Sequence, residues 1–477
     1  MTPFEFSRRE ALKKMSCGFG YMALAGLAAQ QQVRAQPTGT TVLGNPQPHF
    51  PPKAKRVIFL FMAGGVSQVD SFDYKPKLIK ADGTMLDFAD ERAINRGEKG
   101  ANRRVMKPLW EFKQRGQRGL WASELFPEGA KHMDDLCVIR SMHTEGVAHG
   151  PATLFLHTGA ANFIRPSMGS WVLYGLGSEN QNLPGFVSIG PSLGNGGPRN
   201  YGNGFLPAIY QGTAMGRAGM PSREMAFRNI LSARDEGGAR GQFDLQQALN
   251  AEQLRQKPGD QELEAVLNSY ELAWRMQSHA PGVVDLSRET QQTQTMYGIN
   301  ETATDDFGRK CLMARQLSES GVRFVQINYN TNSSSNPAWD QHSDMPKHAV
   351  HAKAVDKPIA ALLADLKARG LLEDTIVWWG GEFGRTPYAE NNGSGRDHNP
   401  GGFTMWVAGG GFRAGVAHGS TDEFGHYAVE DKVHMHDLHA TILHQLGLNH
   451  EHLTFRHDGR DYRLTDVHGE VVKELLA

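Results

Sequence analysis

Short apolar runs alternate with amphipathic stretches along most of the chain after residue 54. Five runs have the composition of buried strands, namely KRVIFLFMAGG (55–65), DDLCVIRSM (134–142), GVRFVQINYN (321–330), DTIVWWGGEFG (374–384) and GFTMWVAGGG (402–411). Helical periodicity is found at 354–372 and at 437–448. Strands that alternate with helices predict an α/β fold with a doubly wound, mostly parallel sheet flanked by helices. Ligands bind such sheets beyond the carboxyl ends of the strands.

Two stretches break this alternation. Residues 190–222 are dense in Gly, Pro, Asn and Tyr, and residues 240–295 are polar with a helix-forming composition. We therefore expect 190–300 to form a loop- and helix-rich insertion or cap within one domain, 55–477, which follows a Pro- and Gly-rich linker at 36–54.

The N-terminus has the features of an export signal. SRREALKK (7–14) precedes the Gly- and Ala-rich apolar run at 15–29, which is too short to span a bilayer. The paired arginines resemble a twin-arginine signal, with cleavage after Ala35. The prediction is a signal peptide at 1–35, recognition by the twin-arginine machinery and a periplasmic or extracellular protein. The alternative is an amphipathic N-terminal helix.

Composition narrows the range of functions. The chain has 477 residues, a formal net charge of −1 and no basic stripe, which argues against nucleic acid or an anionic membrane as partner. Its three cysteines show no CxxC spacing, so a cysteine zinc site or a disulfide framework is not expected. Its 20 histidines cluster beside acidic residues, which favours a metal hypothesis.

Polar side chains collect directly after the predicted strands, where they would converge at one edge of the sheet. In chain order they are Ser67, Asp70, Ser71 and Asp73; His143, Thr144, Glu145 and His149; Asp340, His342 and Asp344; Glu382 and Arg385; and Arg396, Asp397 and His398. Carboxylates mixed with neutral imidazoles are ligands for divalent cations, and imidazole suits zinc, iron or nickel better than calcium. Taken singly, each residue has a structural explanation; Asp70 suits a helix cap and Asp344 a surface carboxylate. As a set they predict a metal site.

The segment HGPATLFLHTG (149–159) adds a second signal. Gly-Pro suits the first turn of a helix, so His149 is expected at or just before a helix N-terminus.

Several motifs, which together cover most of 55–470, carry a resemblance to a known group. They are RVIFLFMAGGVSQVDSFDYKP, HGPATLFLHTG, WDQHSD, GGEFGRTP, GRDHNPGGFTMWVAGGG and HDLHATILHQLGL with GRDYRLTDVHG. Through these motifs the chain resembles the sulfatase-like branch of the alkaline phosphatase superfamily. It is more closely similar to a family of twin-arginine-exported proteins of unknown function that are often labelled sulfatase.

The resemblance also assigns site residues. In the sulfatase signature C-x-P-x-R…T-G, Pro151 and Thr158-Gly159 match, while His149 occupies the nucleophile position and Thr153 the arginine position. Histidine cannot form the formylglycine nucleophile. Asp340, His342 and His398 resemble the superfamily's Asp/His/His metal group. Glu382 and Phe383 occupy the positions of an Asp-His pair in the superfamily. The superfamily also has two acidic residues directly after its first strand. Gly64-Gly65 occupy those positions here, and Asp70 and Asp73, a few residues later, are the expected substitutes.

Several roles remain open for these residues. His149 is expected to be a metal ligand, with a structural role second and a base or nucleophile third; Thr144 is the backup nucleophile. Arg385 and Arg396 are expected to bind a sulfate or phosphate oxyanion. The alternative is that each arginine forms an ion pair at the surface. Asp397 and His398 share a loop that suits metal ligands.

The leading functional hypothesis is an exported hydrolase of sulfate or phosphate esters, with a small-molecule or carbohydrate ester as substrate. It would use one or two divalent ions, zinc, calcium or another, and metal-activated water. The alternative is a catalytically impaired sulfatase-like binding or scaffold protein. A lyase or isomerase on the same fold is a third option.

Overall fold

A mixed, mostly parallel sheet forms the centre of the computed structural model, which describes residues 46–88, 101–227, 236–257, 260–330 and 337–477. Its strands are β1 (Arg56–Met62), β2 (Leu136–His143), β3 (Phe186–Ile189), β4 (Thr213–Met215), β5 (Phe324–Tyr329), β6 (Thr375–Gly380), β7 (Phe403–Ala408), β8 (Val416–His418) and β9 (Val433–His434). The order is β8-β2-β7-β6-β1-β5-β3-β4, and β9 also pairs with β2. Within the described part of the chain, β7 alone runs antiparallel to its neighbours in this sheet.

Helices flank the sheet on both faces. The helices of the described part of the chain are α1 (Pro76–Lys80), α2 (His149–Thr158), α3 (Met168–Leu176), α4 (Glu236–Gln256), α5 (Gln261–Val283), α6 (Gln291–Met296), α7 (Asp305–Glu319), α8 (Lys347–Ala368) and α9 (Met435–Gln445). Small two-stranded sheets pair Met85–Phe88 with Ala101–Arg104, Phe112–Arg115 with Leu120–Ser123, Gly384–Ala389 with Arg396–Asn399, Ser420–Thr421 with Ala428–Glu430, and Phe455–His457 with Arg460–Tyr462.

The predicted α/β class is confirmed, and the reason lies in burial. Every residue of β1 is buried, because alternate side chains enter two separate cores: Ile58 and Leu60 on one face of the sheet, Phe59 and Phe61 on the other. A central parallel strand covered on both faces therefore reads as a continuous apolar run.

Part of the predicted insertion at 190–300 belongs to the main sheet. Thr213–Met215 forms β4, an edge strand of the main sheet that pairs in parallel with β3. Helix α5 then packs Leu272 and Met276 into the same core as the sheet. A three-residue strand between Gly-rich loops carries too little periodicity to be recognised from sequence.

The predicted signal peptide, 1–35, and most of the predicted linker, 36–54, lie outside the described residues. In the described part of the chain, no helix has the length and apolar character needed to cross a membrane.

Helix α2 begins at His149, as the Gly-Pro signal predicts. Pro151 lies in its first turn, where a missing N–H costs no hydrogen bond, and Gly159 ends it in the left-handed conformation with φ 67°. Because α2 follows β2 after a short loop, its first residue lies at the carboxyl edge of the sheet.

Buried neutral histidines predict acid sensitivity. Burial lowers the pKa of His157 to about 4 and that of His439 to about 3. A histidine in the unfolded chain takes up its proton near pH 6.5, so the unfolded state binds more protons below that value. His157 therefore stabilises the fold fully above pH 6.5, and this contribution of roughly 3 kcal/mol disappears as the pH falls to about 4. Urea unfolding from pH 7 to 4 should show this loss, and His157→Gln should flatten it; identical slopes in both proteins would contradict the assignment.

Candidate metal centre

Four side chains converge at the carboxyl edge of the sheet. The candidate ligand atoms of His149, Asp340, His342 and His398 all lie within 4.8 Å of one another. Asp340 Oδ1 occupies the middle, 3.1 Å from Nε2 of His149, 2.8 Å from Nε2 of His342 and 3.3 Å from Nε2 of His398. His149 begins α2, Asp340 and His342 follow β5, and His398 lies in the hairpin that follows β6.

The other nitrogen of each imidazole points to an acceptor. His149 Nδ1 lies 2.6 Å from Glu382 Oε1, His342 Nδ1 contacts Glu390, and His398 Nδ1 lies 2.9 Å from the carbonyl of Val147. Carbonyl and carboxylate oxygens only accept, so each Nδ1 carries a hydrogen, and a ring that has lost its Nε2 proton presents a bare Nε2 to the cluster.

Bare nitrogens in contact need a cation among them. Nε2 of His342 lies 3.0 Å from Nε2 of His398, and Nε2 of His149 is buried without an aligned hydrogen bond. Lone pairs that face one another and a carboxylate repel unless protons or a metal ion intervene. Three imidazole nitrogens and one carboxylate oxygen form a donor set that suits Zn²⁺ or a similar transition ion. The residues present therefore fit a divalent metal.

Glu382 supports His149 from behind. Its carboxylate has no exposed surface, and both oxygens accept the N–H of Gly64 at 3.0 Å in addition to the contact with His149. Gly64 has φ 113°, and a Cβ there would lie 2.7 Å from the backbone nitrogen of Asp340. Glycine therefore occupies this position because two backbone segments meet there.

Arg385 fixes Asp340. Its Nη2 donates to Asp340 Oδ1 at 2.7 Å, and the same guanidinium donates to the carbonyls of Gly64, Gly65, Trp339 and Arg396. Burial would raise the pKa of Asp340, but the three imidazoles and Arg385 together hold that pKa well below its usual range. The Asp340 side chain is therefore an anion at every physiological pH.

Asp340, Glu382 and Glu390 in turn raise the pKa values of the imidazoles that they contact. Burial lowers the pKa of His342, but Asp340 and Glu390 outweigh it and raise the pKa to about 9. Burial also opposes protonation of His149, and Asp340 and Glu382 leave its pKa raised. Without a metal the cluster therefore binds protons, which a metal ion would displace.

Asp397 and Glu390 form a second group with His342. Their candidate ligand atoms also lie within 4.8 Å of one another, with Asp397 Oδ1 3.8 Å from His342 Nδ1. The hydrogen bond from His342 Nδ1 to Glu390 makes this group first of all a support for the imidazole. Glu390 was missed by the sequence reasoning, since it lies in a polar turn that carries no motif.

The structure does not bring Asp70 and Asp73 into the cluster. Asp70 accepts from Arg396 Nε at 2.8 Å, Ser67 Oγ at 2.5 Å and the N–H of Leu109 at 2.8 Å. Asp73 pairs with Lys75 at 3.2 Å and accepts from Thr421. Both carboxylates are buried and hydrogen-bonded, which is a structural role.

The arginines expected to bind an oxyanion are also engaged by the protein. Neither Arg385 nor Arg396 has any exposed side-chain surface. Arg396 donates to Asp70 and to the carbonyls of Thr386, Met106 and Lys107. Both guanidinium groups therefore hold loops together around the centre. Thr144, the backup nucleophile, is buried after β2, and none of the described residues forms a hydrogen bond with its Oγ1.

Replacing Glu382 with glutamine should weaken the centre. The amide keeps the shape but presents N–H groups to the donors of Gly64 and His149. A buried donor left unpaired should lower the free energy of unfolding by about 1–3 kcal/mol. Loss of the support for His149 should weaken Zn²⁺ binding roughly 10–100-fold. Urea unfolding and Zn²⁺ titration measure the two effects. Glu423→Gln, at a side chain that is 72% exposed, is the control; unchanged Zn²⁺ affinity in Glu382→Gln would refute the supporting role.

The fold and this cluster define an α/β protein with a candidate metal centre at the carboxyl edge of a mostly parallel sheet. The chain belongs to the DUF1501 family, described as a protein of unknown function, whose match covers residues 54–476. This confirms the family resemblance expected from the motifs. No curated protein matches the sequence.

Solved structures that match the chain include sulfatases and an alkaline phosphatase. PsFucS1 sulfatase from Pseudoalteromonas sp. is 12% identical, with 90% of this chain and 70% of that chain covered and a TM-score of 0.32. A magnesium-bound variant of TAB5 alkaline phosphatase is 10% identical, with coverages of 84% and 100% and a TM-score of 0.33. Ps i-CgsB in complex with k-i-k-neocarrahexaose is 12% identical, with coverages of 83% and 72% and a TM-score of 0.35.

Proposed function

We propose that this protein is a metal-dependent hydrolase of sulfate or phosphate esters in which water is the nucleophile. The observation that carries the proposal is the convergence of three imidazole Nε2 atoms on Asp340, each imidazole being held through Nδ1. A divalent ion bound by these residues would lower the pKa of water and stabilise negative charge on an ester oxygen.

The side chains of this chain contribute orientation and charge. Glu382 and Glu390 hold the rings of His149 and His342 with Nε2 facing inward, and Arg385 keeps Asp340 ionised and in place. His149 lies at the N-terminus of α2, whose partial positive charge favours an anionic ester nearby. With its Nδ1–H held by Glu382, His149 is a metal ligand and not a nucleophile in this proposal.

Elemental analysis of the purified protein tests the centre first. Wild type and His149→Ala are loaded with Zn²⁺, Mn²⁺ or Ca²⁺ and desalted, and bound metal is counted by mass spectrometry. Stoichiometric metal in wild type that falls in the variant supports His149 as a ligand, and the count distinguishes one ion from two. The loaded protein is then assayed on 4-nitrophenyl phosphate and 4-nitrophenyl sulfate. Bound metal without hydrolysis of any ester would reject the hydrolase.

A binding or scaffold protein is the second candidate, and the engaged arginines favour it. Arg385 and Arg396 are fully buried in contacts with the protein, so neither offers a guanidinium face to a substrate oxyanion. Metal binding with ligand retention and no turnover would select this alternative.

Export is a separate proposal. We propose that the twin-arginine signal at 1–35 directs the folded protein out of the cytoplasm, on the strength of Arg8 and Arg9 ahead of the apolar run. Replacing both arginines with lysine keeps the charge and should leave the protein in the cytoplasmic fraction. Unchanged export would refute the assignment.

A further inference from the structure

The two ring nitrogens of His342 face two different sets of candidate ligands. Its Nε2 lies 2.8 Å from Asp340 Oδ1 and 3.0 Å from His398 Nε2, inside the metal centre. Its Nδ1, on the other side of the ring, contacts Glu390 and lies 3.8 Å from Asp397 Oδ1. The candidate ligand atoms of His342, Glu390 and Asp397 all lie within 4.8 Å of one another. One imidazole therefore separates two sets of candidate ligands.

The main chain positions the second set beside the imidazole. Glu390 and Asp397 lie on either side of the turn in the hairpin that follows β6. This turn packs directly against His342, because a Cβ on Gly395 would overlap the carbonyl group of that residue. The N–H of Glu390 donates to the carbonyl of Gly395 at 2.9 Å, which closes the turn. Both carboxylates are therefore held at Nδ1 by backbone contacts.

Three carboxylates surround the His342 ring. Asp340 lies at Nε2, where Arg385 supplies a positive charge to it, and Glu390 and Asp397 lie at Nδ1. The Nδ1–H donates to Glu390, while 3.8 Å is too long for a hydrogen bond between Asp397 and the same nitrogen. Two carboxylates this close repel each other, and a cation between them would remove the repulsion.

The second set has the composition of a divalent-ion site with an open coordination position. One imidazole nitrogen and two carboxylate oxygens suit Zn²⁺, Mn²⁺ or Fe²⁺, and three protein ligands leave a four-coordinate ion one position for water. The side chains of His342, Glu390 and Asp397 are 30%, 22% and 13% exposed. An ion could therefore reach the second set directly from solvent.

We propose that His342 bridges two divalent transition-metal ions, one in the metal centre and the other bound by Glu390 and Asp397. The second ion displaces the Nδ1 proton, which passes to solvent, and the ring then bridges as an imidazolate. An imidazolate is a stronger electron donor than a neutral imidazole, so the second ion would tune the first. The inference rests on the metal centre of the proposed hydrolase, but its test requires no turnover.

Metal counting on the full chain tests the second site. Chelator-treated wild type and Asp397→Asn are titrated with Zn²⁺, and bound metal is counted by mass spectrometry. We expect two ions per chain in wild type, and at least tenfold weaker binding of the second ion in the variant. Asparagine can still accept the N–H of His398, as Asp397 Oδ1 does at 2.7 Å, so the first ion should remain. Asp344→Asn, at a side chain that is 44% exposed and outside both ligand groups, is the matched control.

Electron paramagnetic resonance of the Cu²⁺-loaded wild type tests the bridge itself and does not depend on how a variant folds. Cu²⁺ binds nitrogen and oxygen ligands more strongly than Zn²⁺ and carries one unpaired electron. We expect the first equivalent to give one spin per chain and the second to lower the signal, because two Cu²⁺ ions on one imidazolate couple antiferromagnetically. In Asp397→Asn the second equivalent should not lower the signal.

Three results would each overturn the bridge. They are a single ion per chain in wild type, a second ion that Asp397→Asn binds as tightly as wild type, and a copper signal that grows in proportion to two ions. Two bridged ions without ester hydrolysis would reject only the hydrolase. Ester hydrolysis with a single bound ion would reject only the second site.

Discussion

Replacing His398 with alanine is expected to abolish stoichiometric metal binding and, with it, any ester hydrolysis. His398 contributes one of three imidazoles around Asp340, and its ring is fixed by the carbonyl of Val147. Removal of a ligand should cost more Zn²⁺ affinity than the roughly 10–100-fold typical for loss of a supporting partner. Metal content by mass spectrometry and Zn²⁺ titration measure the loss.

The matched control for this variant is His452→Ala, at an exposed histidine outside the cluster. Circular dichroism on both proteins separates loss of a ligand from unfolding, and we expect the same fold in each. Full metal content in a folded His398→Ala protein would mean that the cluster does not hold the ion.

Replacing Arg396 with methionine is expected to produce the largest loss of stability without removing a metal ligand. The guanidinium and the carboxylate of Asp70 are both completely buried, 2.8 Å apart. Methionine would leave Asp70 as an uncompensated buried charge and three carbonyls without donors. Breaking such a pair costs about 3–5 kcal/mol. Urea unfolding measures the loss, while metal stoichiometry in the folded fraction should remain that of wild type.

Two further variants distinguish a buried ion pair from an oxyanion-binding role for Arg396. Adding Asp70→Asn to Arg396→Met should recover part of the stability, because it removes the stranded charge. Arg456→Met, in an exposed pair with Asp461, should cost less than about 1 kcal/mol. An Arg396→Met protein that is as stable as wild type but loses esterase activity would instead support the sequence prediction of an oxyanion-binding arginine.

The fold was predictable because burial on both faces of a parallel sheet leaves long apolar runs. The position of His149 at a helix start was predictable for a different reason, since Gly-Pro favours the first turn of a helix through local backbone geometry alone. Four of the predicted ligands, His149, Asp340, His342 and His398, meet because strand ends share one edge of the sheet.

The side chains that hold the candidate metal ligands in place were not predictable from the same patterns. Arg385 and Arg396 have the residue type of an oxyanion clamp, but their roles depend on which carbonyls lie within reach in the folded chain. Asp70 and Asp73 follow β1 as closely as a ligand would, yet their neighbours are donors from distant segments. Glu390 contacts His342 across 48 positions. Such pairings are set by tertiary packing and leave no periodic trace in the sequence.

The four candidate ligands come from three parts of the chain, at 149, at 340–342 and at 398. An ion bound by all of them would act as a cross-link that closes long loops, and it would stabilise only the folded form, in proportion to the logarithm of its free concentration. Local opening of any one part would then require release of the ion. Chelation should accordingly shorten the lifetime of the folded chain against proteases, so that metal supply would determine how long each molecule persists.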